Sequence, residues 1–136
     1  MSIQAYKNQQ DWDILGASPL DLVRALYRGA IRAVRLARTS LANGQIRERS
    51  AAITNACAIV QELTVSLDKE AGGEVAVNLA ELYVYIHRRL GEANIEQSDA
   101  PLAESERLLS TLLVAWSQLD EAQPETMTGE PLRLSA

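Results

Sequence analysis

From Leu22 to Leu119 the apolar residues recur three and four positions apart, the period of helices that turn one face to a core. The stretch Gly73–Asn94, GEVAVNLAELYVYIHRRLGEAN, carries the most information. On a helical wheel Val75, Leu79, Leu82, Ile86, Leu90 and Ala93 share one side, as in a helix buried in a bundle. Nearly opposite lies a smaller strip of Val77, Ala80 and Val84, continued by the bare backbone of Gly91, with Tyr83 and His87 between the strips. A helix apolar on two sides needs two sets of neighbours. Either the rest of the chain surrounds it, or something else docks on the second strip.

The same pattern predicts three more helices. Ser18-Pro19-Leu20-Asp21 is a helix start, with Ser18 as cap and Pro19 at the first helical position. Leu22, Val23, Leu26, Tyr27, Ala30, Ile31, Val34, Ala37 and Leu41 then keep the spacing as far as Asn43-Gly44, a C-terminal stop. Arg24, Arg28, Arg32, Arg35 and Arg38 cluster on the polar side, where a solvated face is the ordinary reading and an acidic partner surface the sharper one. Gly29, mid-helix, predicts close approach of another backbone. From Gln45 a second helix carries Ile46, Ile53, Val60 and Leu67 at strict sevens with Ala56 and Leu63 interleaved, a seam suited to left-handed bundle packing. Residues 68–73 break the pattern before the third helix.

The third helix is expected to end near Asn94. A fourth opens at Ser98 or Asp99, with Pro101 in its first turn, and buries Leu102, Leu109, Leu112, Leu113, Trp116 and Leu119, flanked by Leu108. Short connections favour antiparallel neighbours, so the expected fold is all-α: an antiparallel up-down four-helix bundle over residues 17–120. Residues 1–16, with isolated anchors Ile3, Tyr6, Trp12, Ile14 and Leu15, read as a flexible N-terminal arm. Residues 121–136, with two prolines, a glycine and scattered charge, read as a disordered tail.

Composition narrows the function. A chain of 136 residues, 47% hydrophobic, is the size of one domain with one core. The net charge of −5 argues against a nucleic-acid binder or a general binder of anionic membranes. No run approaches the length of a membrane span, so no membrane insertion is expected, and the first residues lack the pattern of a signal peptide. The expected location is the cytosol. A single cysteine, Cys57, agrees with a reducing compartment and reads as a buried inert thiol.

Catalysis needs a nucleophile with a base, paired carboxylates or a metal constellation. This chain offers one histidine and one cysteine on separate helices, no ligands at zinc spacing and no phosphate-binding glycine loop. No enzymatic activity, cofactor or metal is therefore expected. One alternative is carried by His87-Arg88-Arg89-Leu90-Gly91: helical bundles that relay phosphoryl groups present a histidine with a glycine one turn on, and arginines can hold phosphate.

Two blocks carry a resemblance. Ala17-Ser18-Pro19, Leu22 and Leu26-Tyr27-Arg28-Gly29-Ala30-Ile31 form the first; Gly73–Leu79, Leu82–Tyr85 and Arg88–Ile95 form the second. Together they are similar to the flagellar secretion chaperones of the FliS family, over about residues 14–119. Gly16 stands where that family usually has threonine, and Arg28 where it usually has an acid or amide. The resemblance implies a cytosolic export chaperone that binds the C-terminal segment of flagellin, prevents premature polymerisation and keeps it competent for flagellar type III export. It also implies an apolar docking groove, and the wheel suggests Val77, Ala80, Tyr83 and Val84, with Leu22 and Tyr27 on the first helix and Ile14 and Leu15 just before it. Tyr6 of the arm is a candidate groove cap, flagellar export-gate or regulatory proteins are further candidate partners, and a monomer or weak homodimer is expected.

Overall fold

Three short turns divide the chain where the apolar period breaks. In the computed structural model, which describes residues 19–122, the helices are α1 (Pro19–Ala42), α2 (Ile46–Val65), α3 (Lys69–Glu96) and α4 (Ala100–Ala122). Ser18, the arm and residues 123–136 lie outside the described residues, and α4 runs two residues into the expected tail, to Ala122. Gly44 closes α1 at φ 70°, the left-handed conformation that a Cβ penalises, and the Gln45 amide bonds back to the Ser40 carbonyl at 2.9 Å. The Asp68 side chain caps α3 by accepting from the Ala71 amide at 3.1 Å. Gly73, at φ 56° and ψ −132°, then kinks α3, so its long straight part begins where the sequence placed the helix start. At the far end α3 runs two residues beyond Asn94 to Glu96, and Gln97 takes the left-handed cap conformation.

Each helix packs on two neighbours in the ring α1–α2–α3–α4, leaving α1 diagonal to α3. Cross-links run in opposite order along adjacent helices, the signature of antiparallel packing. Between α1 and α4, Arg38 bonds Asp99 at 2.8 Å, Arg35 bonds Glu106 at 2.7 Å, and Tyr27 meets Trp116. Between α2 and α3, Arg49 near the start of one reaches Asn94 near the end of the other. The expected up-down bundle is therefore the fold.

The core is the predicted one in most positions: Val34, Ile53, Val60, Leu63, Ile86, Leu90, Leu102 and Leu109 are buried. Ile46 departs from the a/d seam: it is the first residue of α2 and lies 61% exposed. Gly29 meets the side chain of Ile59 rather than a backbone: a Cβ there would lie 3.5 Å from the isoleucine Cδ1, ordinary contact. The arginine stripe is not uniformly solvated either. Arg24 is buried and paired with Asp21, and Arg35 and Arg38 are engaged by carboxylates of α4.

These cross-links predict an acid response. The Tyr85 hydroxyl and Arg89 hold Glu104 below its ordinary value of 4.5, and Arg35 and Arg38 do the same for Glu106. Their native values are depressed, so their contribution is complete above the unfolded value and is lost as pH falls through the native one. The melting temperature should fall below pH 4.5 more steeply in the natural protein than in a Glu104→Gln/Glu106→Gln variant. Parallel curves from calorimetric melts across that range would show that the pairs add nothing.

Candidate functional site

On α3, Val77, Val84 and Ile95 fall along one line of the helix and remain 45%, 59% and 83% exposed. Ala80 is half-buried beside them. At Gly91 an added Cβ would meet nothing within 4 Å, so the glycine leaves a notch in the stripe rather than admitting a neighbour. From Val77 to Ile95 the stripe is about 27 Å long, enough to accompany a docked helix for five turns. Exposed valine and isoleucine in such an array leave apolar area in water that a partner can cover.

Both edges of the stripe are fixed by polar clamps. Toward α4, Glu104 accepts from the Tyr85 hydroxyl and from Arg89 Nε, each at 2.7 Å, and Arg89 also pairs with Glu92 at 2.9 Å. Toward α2, Asn94 Oδ1 accepts from Arg49 Nε and from Ser50 Oγ, both at 3.1 Å. Arg49 is buried, so this amide is its main protein partner away from water. These clamps set how α3 is rotated about its axis, and hence that the valine side faces outward.

Beneath the stripe lies a hydrogen-bonded aromatic cluster. The hydroxyls of Tyr27 on α1 and Tyr83 on α3 share a hydrogen bond across the core, and Trp116 Nε1 on α4 donates to the Tyr27 oxygen at 3.0 Å. Burial pushes the Tyr27 hydroxyl up to about 12 and Tyr83 upward as well, so both stay neutral at any physiological pH. They join three helices and do no acid-base work.

The expected groove residues are therefore divided. Val77, Ala80 and Val84 share the outward face of α3. Tyr27 and Tyr83, expected on the groove surface, are 0% and 1% exposed; they form its foundation instead, because each hydroxyl finds its partner inside the core. Leu22 is half-buried on α1, the helix diagonal to α3, and is not part of the same stripe. Ile14, Leu15 and the Tyr6 cap lie outside the described residues. Ile95 is the addition: it stands eighteen residues, five whole turns, beyond Val77, a spacing present in the sequence but one residue past the expected helix end near Asn94.

His87 is exposed, but its surroundings do not form a phosphate cradle. Arg88 lies over the Tyr85 ring at 5.3 Å, and Arg89 is held by Glu104 and Glu92. Burial raises the Cys57 thiol, which keeps it protonated and inert. An open cleft of about 670 Å³ between α1 and α4 is lined by Arg35, Arg38, Asp99 and Glu106, whose charges already satisfy one another. Among the described residues no cluster of histidine, cysteine and carboxylate is placed to hold a metal, and no helix is long and apolar enough to cross a membrane.

Residues 2–123 match the family described as Flagellar protein FliS. That match covers nearly the whole chain. The chain belongs to the FliS family of flagellar secretion chaperones. It is similar to the flagellar secretion chaperone FliS of Salmonella typhimurium, 39% identical over 107 residues that make up 78% of this chain and 79% of the relative. The Bacillus subtilis chaperone is 29% identical over 130 residues, 95% of this chain and 96% of its own. Pseudomonas aeruginosa FliSB is 36% identical over 100 residues, 74% and 79% of the two chains. In this FliS-family chain the second block is largely structural: Tyr83 enters the core, Tyr85 and Arg89 clamp α4, Glu92 holds Arg89, and Asn94 clamps α2. The large apolar residues it leaves facing water are Val77, Val84 and Ile95 of the stripe.

Proposed function

We propose that the protein is a flagellin-binding export chaperone, acting by stoichiometric association in the cytosol without nucleotide or cofactor. The supporting observation is the α3 stripe, an outward apolar line held in place by clamps at both edges, in a chain of a secretion-chaperone family. Flagellin assembles through amphipathic helices of its terminal segments. Covering such a face reversibly blocks polymerisation, and a helix laid along Val77, Ala80, Val84, the Gly91 notch and Ile95 covers it. The client's C-terminal segment binds as it folds, so part of the interaction energy is spent on ordering it and the complex remains releasable at the export apparatus.

Titration calorimetry of the purified protein with the C-terminal segment of its host's flagellin tests the reading. One-to-one binding with a clearly negative heat-capacity change is expected, the mark of apolar burial. Absence of heat at several temperatures together with failure to co-elute would remove flagellin as the client.

A further inference from the structure

We propose that the outer face of α1 is a second docking surface, shaped for an acidic helical segment of another protein. Arg28, Arg32 and Leu36 stand at i, i+4 and i+8, a single ridge of the helix surface, with Arg35 beside it. All four are exposed, and Leu36 is 56% exposed in a helix whose other leucines and valines are at least half-buried. Among the described residues Arg28 and Arg32 have no carboxylate within ion-pair distance, whereas Arg35 and Arg38 are both served by α4. Two like charges one turn apart repel, and a solvated helix normally relieves this with an intervening acid. This chain has 18 acidic residues against 13 basic ones, yet places none at that spot.

The ridge is thus a positive, leucine-tipped island on a protein of net charge −5. It is about 12 Å long, close to one Debye length at ~0.1 M salt. A long polyanion or an anionic lipid surface would meet the repulsion of the whole chain as it approached, whereas a short acidic helix meets chiefly the ridge. Carboxylates one turn apart can take the guanidinium forks of Arg28 and Arg32 in bidentate fashion, and an apolar residue one turn further covers Leu36. Because α1 is diagonal to α3, this surface lies on the opposite side of the bundle from the Val77–Ile95 stripe, and both can be occupied at once. The inference does not rest on the identity of the client.

The test uses the full-length protein and a synthetic helical peptide of glutamate, alanine and glutamine, with glutamates one turn apart and one leucine. Fluorescence anisotropy and backbone amide NMR shifts are followed at low and high salt. Expected are shifts centred on residues 28–36 and binding that weakens about tenfold in an Arg28→Glu/Arg32→Glu variant, as two exposed charge contacts allow. Binding should weaken separately in Leu36→Gln, fall with added salt and be unchanged in Val77→Asp/Val84→Asp. Equal affinity in the arginine variant, shifts scattered elsewhere, or no binding of the peptide overturns the proposal. So does arginine-dependent binding to phosphatidylglycerol vesicles without peptide binding, which would make the ridge a membrane contact. A sedimentation dimer lost in the same variant would make it a self-association surface and equally overturn it.

Discussion

Replacing Tyr83 by alanine should lower the stability of the fold by about 3–5 kcal/mol, the range for deleting a buried aromatic side chain. The ring is 1% exposed at the centre of the bundle, 6.4 Å from the Tyr27 ring, and its hydroxyl shares a hydrogen bond with Tyr27. Removing it opens a cavity bordered by α1 and α3 and takes a partner from Tyr27. For a single domain, whose total stability is about 5–15 kcal/mol, that loss puts folding itself at risk. Tyr83→Phe separates the two contributions. The ring remains, and Tyr27 keeps the Trp116 indole, so a loss of only about 1 kcal/mol is expected. Urea unfolding followed by circular dichroism, compared at unchanged denaturant slope, reads both values. An alanine variant as stable as the phenylalanine variant would mean that packing of the ring contributes nothing.

Val77→Asp/Val84→Asp should have the reverse profile. Both side chains are about half in water, so helical content should be retained and stability should move by about 0.5 kcal/mol per site or less. Client affinity should fall about 100-fold or more, since each valine covered by a docked helix contributes on the order of 1.5 kcal/mol and an aspartate in its place must be desolvated. Calorimetry with the flagellin segment measures the loss, and circular dichroism of the same samples checks the fold. If affinity held while Leu22→Asp abolished it, the docking surface would lie on α1 rather than on α3. If both aspartates unfolded the protein, the stripe would be core.

The contrast between these variants restates a distinction that the wheel of α3 could not make. Periodicity found two apolar sides and placed Tyr83 between them, but a wheel has no neighbours in it. An aromatic residue near the border can turn either way, and Tyr83 turns inward because Tyr27 and, behind it, Trp116 offer hydrogen-bonding partners from α1 and α4. Nothing near it in sequence specifies those partners, which lie 56 and 33 residues away, respectively. The same limit explains Arg35 and Arg38: their stripe reads as solvent-facing until Glu106 and Asp99 arrive from a helix more than 60 residues downstream.

By itself the sequence determined the four helices, their turns, most of the core and the existence of a second apolar strip at Val77, Ala80 and Val84, because helical period, capping and glycine stops act within a few residues. The family blocks were equally legible as strings. Only the tertiary structure decided that the tyrosines lie below the surface, that Ile95 extends the stripe, and that Asn94 and Arg89 orient α3 through clamps to two other helices. Rotation of a helix about its own axis is set by side chains that meet across the bundle, and those meetings depend on distance in space rather than on spacing along the chain.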